Sequence, residues 1–305
     1  MTDSFENASA RGRARRVAGD DPDVASLRDR LGADDAGTRR DAALGTVDLA
    51  DRAGLPDEVA DALARRARAD ADAEVRQFAV EALGVAGRGE AAVAAVLDDP
   101  DEWVRAEAVV ALSRVAGGDA ADRLRDALDD DHGAVRRNAL IALARLGEIG
   151  PDALVERLKE DPVPSVREYA ADYLPAIEGE TERAERLLAA LLARDPDAFV
   201  RSKAAESLGE LGTERAEEAL EAQGLRDRSD DVRRTAKRAL ATARGVDPDA
   251  LDVAVDAPPA AAPPAPGTGP DAPADRDVEG PAAGPGPAPG RETNAERGPG
   301  GGGVR

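Results

Sequence analysis

Apolar residues return at intervals of three, four and seven residues along most of this chain, which is the spacing of one face of an α-helix. The stretch Asp99–Leu112 shows the pattern in full. Within it Val104, Ala108 and the final leucine are four residues apart and form one stripe, and Arg105 follows the first of them. The Asp-Pro pair that opens the stretch is typical of a turn before a helix. The pattern predicts an amphipathic helix that begins after a short turn.

The same frame of residues recurs seven times. Counted from the arginine, an Asp lies six residues before it, an Ala three residues after it and an apolar residue seven residues after it. The Asp–Arg pairs of the seven copies are Asp34/Arg40, Asp70/Arg76, Asp99/Arg105, Asp130/Arg136, Asp161/Arg167, Asp195/Arg201 and Asp227/Arg233. Successive arginines are 29 to 36 residues apart, a period typical of helical solenoids. The sequence therefore predicts an all-α solenoid of about seven helix pairs.

Each copy predicts a leading helix, a short turn and a trailing helix that contains the frame and ends near a glycine. The Asp of the frame is placed to accept backbone N–H bonds at the start of the trailing helix. The Arg is long enough to reach either that Asp or the Asp of the adjacent copy. We predict that these pairs form a structural ladder along the array.

The chain divides into three parts by composition. Residues 1–21 are polar and dotted with arginines, and we expect a flexible N-terminus. Residues 22–245 carry the repeats and predict the solenoid. Residues 246–305 hold 13 of the 21 prolines and several glycines, so they predict a disordered, acidic Pro/Gly/Ala-rich tail.

Acidic residues exceed basic ones by 62 to 41, so the net charge is −21, and there is no cysteine. Only three cations are lysines, namely Lys159, Lys203 and Lys237. Acid excess with few lysines resembles the proteins of salt-in halophiles, because molar salt shortens the Debye length to roughly 3 Å and screens self-repulsion. An acidic protein that binds cations or basic partners is the alternative. No apolar run approaches the roughly 18 residues of a membrane span. We expect a cytoplasmic, halophilic protein without a membrane partner.

The pattern Asp-Pro-x-x-x-Val-Arg-x-x-Ala-x-x-Ala-Leu resembles HEAT repeats, and most closely the short HEAT-like repeats named after phycobilisome lyases. The resemblance covers about residues 22–245. It implies a right-handed α-α superhelix of the armadillo/HEAT type, with the trailing helices on the concave side. Proteins of this kind usually bind their partners along that side.

Some members of that family are enzymes, including chromophore lyase subunits and a metal-dependent hydroxylase that holds two irons with His-Glu pairs. This chain has one histidine, His132, and no His-Glu dipeptide. We therefore expect no catalytic residues, no specific metal and no cofactor. A HEAT-like lyase or hydroxylase, or its accessory subunit, remains the alternative to a non-catalytic scaffold or adaptor.

The predicted partner is another protein, and its binding surface is predicted from helical geometry. At 100° per residue, positions +1, +2, +5 and +9 from the arginine point away from the buried stripe. They carry four large apolar side chains with a cation beside them, namely Phe78, Val110, Ile141, Tyr169 and Arg137. Val110 and Ile141 occupy the same position in adjacent copies and predict an exposed apolar patch. Packing against neighbouring helices is the competing interpretation.

Two further observations concern the trailing helices. Trp103 and Phe199 share position −2, and we expect them to wedge between repeats. Arginine clusters around Arg137 and Arg234 form modest basic patches in an acidic chain. Ion pairing within the solenoid explains most of these cations, so we expect no binding of nucleic acid.

Overall fold

The structure is a computed structural model that describes residues 24–251. The predictions for residues 1–21 and for most of the tail lie outside the described residues. Fourteen α-helices and no strand are present between residues 24 and 251. Their bounds are α1 Val24–Leu31, α2 Ala36–Ala53, α3 Asp57–Ala69, α4 Ala73–Val85, α5 Glu90–Ala94, α6 Glu102–Ala116, α7 Ala121–Asp126, α8 Gly133–Leu146, α9 Pro151–Glu160, α10 Pro164–Tyr173, α11 Thr181–Arg194, α12 Ala198–Leu211, α13 Glu214–Ala222 and α14 Asp230–Arg244.

The helices form seven consecutive pairs. Each odd-numbered leading helix packs against the even-numbered trailing helix that follows it. Each trailing helix also packs against the trailing helices before and after it, so α2, α4, α6, α8, α10, α12 and α14 form one continuous row. This arrangement confirms the predicted all-α solenoid.

A polar side chain begins several of the trailing helices. Asp101 accepts the backbone N–H groups of Trp103 and Val104 at 2.9 and 3.2 Å and is the N-cap of α6. Asp72 and Asp197 have the same role at α4 and α12. The N-cap therefore lies two residues after the Asp of the frame.

The stripe at positions −1, +3 and +7 forms the core, as predicted. In α6 its members Val104, Ala108 and Leu112 are fully buried. Small residues let neighbouring trailing helices approach closely. A Cβ on Gly209 would lie 2.7 Å from the carbonyl oxygen of Ala239, so α12 and α14 pack at a distance that only glycine permits there.

The packed chain continues beyond the boundary predicted at residue 245. After α14, Ala250 N–H donates to the carbonyl oxygen of Asp247 at 3.0 Å. Leu251 is 8% exposed and belongs to the same hydrophobic core as the repeats. The predicted tail therefore begins too early in the sequence.

Candidate functional site

Arg136 shows the geometry of the Asp–Arg frame in the folded chain. Its Nε and Nη2 donate to the two carboxylate oxygens of Asp161, in the next repeat, at 2.7 and 2.8 Å. Its Nη1 donates to the backbone carbonyl of Asp130, the Asp of its own frame, at 2.8 Å. The two paired side chains are only 8% and 0% exposed. The arginine therefore joins the carboxylate of the next repeat to the backbone of its own.

The same bidentate pair is present six times in the described residues, with Nε–Oδ2 distances of 2.7 to 2.8 Å. The pairs are Arg39–Asp70, Arg76–Asp99, Arg105–Asp130, Arg136–Asp161, Arg167–Asp195 and Arg201–Asp227. Two parallel N–H···O bonds fix the orientation as well as the distance of the partners. We propose that this ladder stabilises the stack of trailing helices.

The carboxylates of the ladder also hold the turn that follows them. Asp161 Oδ1 accepts the backbone N–H of Val163 at 2.9 Å, and the other five ladder aspartates accept the N–H two residues on. Burial of Asp161 favours its neutral form, but the hydrogen bonds from Arg136 and Val163 outweigh burial and hold its pKa below the usual value. Each ladder aspartate is therefore a charged acceptor for two neighbouring repeats.

The frame assigned to the first copy is wrong by one residue. Arg39, not Arg40, is buried and pairs with Asp70. The Nη1 of Arg39 donates to the carbonyl oxygens of Ala33 and Asp34, as later ladder arginines do five and six residues back. Arg40 is exposed and pairs with Glu74 at 2.6 Å. The first copy lacks both the Val and the Asp that mark the frame elsewhere, so only the contact with the next repeat identifies its arginine.

Positions −2, +2, +5 and +9 of each trailing helix form a second stripe, opposite the core stripe, which we call the free face. Val110 and Ile141 lie on it but are only 6% and 4% exposed, so the predicted exposed patch is wrong for both. Glu107 and Asn138, which were expected to flank the patch in solvent, are also buried. The competing interpretation, packing between neighbouring helices, fits these four residues.

A hydrogen bond between repeats explains part of this burial. Asn138 Nδ2 donates to the carbonyl oxygen of Ala106, on the preceding trailing helix, at 2.9 Å. Arg137 donates in turn to Asn138 Oδ1 from Nε and Nη2 at 3.3 and 3.2 Å. The central helices α6 and α8 are flanked by other trailing helices on both sides, so a wheel drawn for one helix underestimates their burial.

Other parts of the free face are accessible and charged. Phe78 and Tyr169 are partly exposed and also pack against the core. Lys203 Nζ lies 3.1 Å from Asp172 and 2.8 Å from Glu206. Burial alone would lower the pKa of Lys203, but these two carboxylates outweigh burial and raise it.

Two aromatic side chains at position −2 stand in solvent. Trp103 is 50% exposed and Phe199 is 77% exposed, so the prediction that they wedge between repeats is wrong. Trp103 has one ring neighbour, His132, whose centroid is 5.3 Å away in an edge-on contact. Phe199 borders an open groove of about 690 Å³ between α12 and α14. The cations that line this groove are Arg234, Lys237 and Arg238.

The described residues contain no group of three or more His, Asp or Glu side chains placed to hold a metal ion. His132 precedes α8 as its N-cap residue, and its side chain makes no capping hydrogen bond. Within residues 24–251 no helix has the length and apolar character needed to cross a bilayer.

The family model for HEAT repeats matches residues 60–145 and 151–241, which together make up more than half of the chain. The structure of YibA from E. coli is similar, with 20% identity, coverage of 71% of this chain and 80% of that chain, and a TM-score of 0.53. The complex of CpcE and CpcF of phycocyanin lyase from Nostoc sp. PCC7120 has 23% identity over 73% and 89% of the two chains, with a TM-score of 0.47. Human deoxyhypusine hydroxylase has 24% identity over 73% and 84%, with a TM-score of 0.36.

A comparison with curated protein sequences found no match. The family model and the paired helices lead to the same assignment. The chain belongs to the HEAT-repeat family.

Proposed function

We propose that this chain is a non-catalytic, cytoplasmic scaffold or adaptor that binds another protein through the free face of its trailing helices. One observation carries the proposal: Trp103 and Phe199, at the same repeat position, are half and three-quarters exposed. The chain has only six aromatic residues among 305. Large aromatic side chains at interfaces carry a disproportionate share of binding energy.

The spacing of the two aromatics sets the size of the partner. They lie on α6 and α12, three trailing helices apart. Packed helices are separated by about 8–10 Å, so a partner that covers both residues spans roughly 30 Å of the array. Phe78 and Tyr169, with Arg137 between them, contribute to the same surface, whereas Val110 and Ile141 support it from below.

The groove beside Phe199 indicates the chemistry of one contact. Arg234 is paired with Asp231 at 3.2 Å, but Lys237 and Arg238 form no ion pair with the described residues. An aromatic side chain with two uncompensated cations favours a partner segment that presents an apolar side chain next to carboxylates. This preference contrasts with the net charge of −21 of the whole chain.

The test compares capture of one partner by the wild-type chain and by the double variant Trp103→Ser/Phe199→Ser. Affinity capture in the chain's own high-salt extract, with quantitative mass spectrometry, identifies the partner. We expect at least a tenfold loss of that partner with the double variant, because truncating interface anchors costs about 2 kcal/mol or more. Helicity and melting should hardly change, since both side chains are exposed.

Val246→Ser is the matched control. Val246 is 46% exposed but lies after α14, outside the free face, so its variant should capture the partner as the wild type does. Unchanged capture by the double variant would contradict the proposed surface. Stoichiometric iron in untagged protein would instead support the alternative, a hydroxylase-type enzyme.

A further inference from the structure

Arg233 is the last arginine of the ladder, and its bonds differ from those of the other six. Its Nη1 donates to the carbonyl oxygen of Asp227 at 2.7 Å, as the pattern requires. Its Nη2, however, contacts Asp230 in the same helix. Its Nε is buried and has no hydrogen-bond acceptor, although the residue is only 7% exposed. The edge of the guanidinium that binds the next repeat's carboxylate elsewhere is therefore incompletely used here.

A buried N–H group without an acceptor destabilises a fold, typically by about 1–3 kcal/mol. The Nε and Nη2 atoms of arginine form a planar fork that matches both oxygens of a carboxylate. In the preceding repeats that carboxylate belongs to an aspartate of the next repeat. The chemistry of the open position at Arg233 therefore specifies a carboxylate.

The spacing along the chain identifies a candidate. From each ladder arginine in the second to sixth copies, the paired aspartate follows after 23, 25, 25, 28 and 26 residues. Asp256 follows Arg233 by 23 residues, the same separation as between Arg76 and Asp99. Asp252 comes too early for this range.

The segment before Asp256 begins as a leading helix does. The residues Pro248-Asp249-Ala250-Leu251 repeat the sequence Pro151-Asp152-Ala153-Leu154, which opens α9. Leu154 is fully buried, and Leu251, at the matching place, is 8% exposed in the same core.

We propose that the side chain of Arg233 is a carboxylate-binding site and that Asp256 of this chain occupies it, as the last rung of the ladder. Residues 248–256 then act as half of an eighth repeat that caps the array. The sequence also explains why the array ends there. The ladder aspartates accept the N–H two residues on, and at that place stands Pro258, which has no N–H.

The test measures melting of the full chain with Asp256→Asn and with the matched control Asp252→Asn. We expect a decrease in Tm of about 3–6 °C for Asp256→Asn and less than about 1 °C for the control. Arg233→Lys, which keeps the charge but lacks the fork, should reproduce the decrease. In the Arg233→Ala background Asp256→Asn should have no further effect, because the two residues act as one pair.

Equal decreases for Asp256→Asn and Asp252→Asn would overturn the proposal, since position and not charge is its content. A decrease by Asp256→Asn that persists in the Arg233→Ala chain would also overturn it. Melting is compared at about 1 and 100 µM protein, because association makes Tm depend on concentration. An Asp256→Asn effect seen only at the higher concentration would assign the carboxylate to a second copy and overturn pairing within one chain.

Discussion

Glu107 lies in the middle of α6 with 9% of its surface exposed, on a face that helical geometry alone places in solvent. Burial raises the pKa of its carboxyl to about 8, and the nearby Glu81 on α4 adds to the rise while Arg114 opposes it. At neutral pH the side chain is therefore mostly a neutral acid. A glutamate on the free face contributes no full negative charge to the surface at this point.

Glu107 should make stability depend on pH in a direction opposite to that of the ladder aspartates. Above the usual glutamate pKa of about 4.5 the unfolded chain releases this proton while the folded chain retains it up to about pH 8. Stability therefore decreases as pH rises through this window, by about 1.4 kcal/mol per unit at most. Glu107→Gln removes the loss, so its Tm relative to wild type should rise by about 5 °C or more between pH 5 and pH 8.5.

Thermal melting at the two pH values checks this. Glu218→Gln is the control, because Glu218 is exposed on α13 and its variant should follow the wild-type pH profile. The same difference between the two pH values in Glu107→Gln and in wild type would contradict a buried neutral carboxyl.

At the scale of elements, the ladder is the polar link between consecutive trailing helices, while the core stripe is the apolar link. Each ladder arginine bonds three groups: the two carboxylate oxygens of the next repeat and one carbonyl of its own turn. Each ladder aspartate holds the turn before its own trailing helix. One side-chain pair therefore orients two helices and the turn of one of them.

Loss of one rung should be costly in the middle of the array. Arg136→Ala leaves the fully buried carboxylate of Asp161 without its main partner, and we expect a loss of about 2–4 kcal/mol in the free energy of unfolding. Arg137→Ala removes only long hydrogen bonds to Asn138 and should cost less than about 1 kcal/mol. Equilibrium denaturation in urea measures both. Equal losses for the two variants would show that the ladder does not stabilise the stack.

At the scale of the whole molecule, charge is the dominant feature outside the repeats' own chemistry. The net charge of −21 is spread over an elongated row of helices, and many surface acids have no cation close by in composition, since acids exceed bases by 62 to 41. The ladder pairs are buried and little affected by salt, whereas repulsion among surface carboxylates is screened by it. We propose that the protein works at high ionic strength.

Folding should therefore depend on salt. Circular dichroism in about 0.1 M and about 3 M KCl should show reduced helix and a lower Tm in the dilute sample, because self-repulsion is unscreened there. Arg136→Ala should lose a similar amount of stability at any salt concentration at which the chain folds. Full helicity and an unchanged Tm in both solutions would contradict the halophilic interpretation.

The sequence alone determined the features that depend on local periodicity. A stripe at positions −1, +3 and +7 identifies the buried side of every trailing helix, because a helix brings these residues to one face whatever surrounds it. The period of about 30 residues determines the paired helices and their stacking. The ladder residues of the second to sixth copies could be identified for the same reason, since each keeps one place in a repeated frame.

Only the tertiary structure decided the features that depend on the neighbouring repeat. It pairs Arg39 instead of Arg40 with Asp70, buries Val110 and Ile141, and leaves Trp103 and Phe199 in solvent. A helical wheel treats everything outside one helix as solvent, whereas here two more trailing helices flank each central one. The accessibility of a side chain on the free face is therefore determined by how closely adjacent repeats pack, and this distance is not encoded in the spacing of residues along one helix.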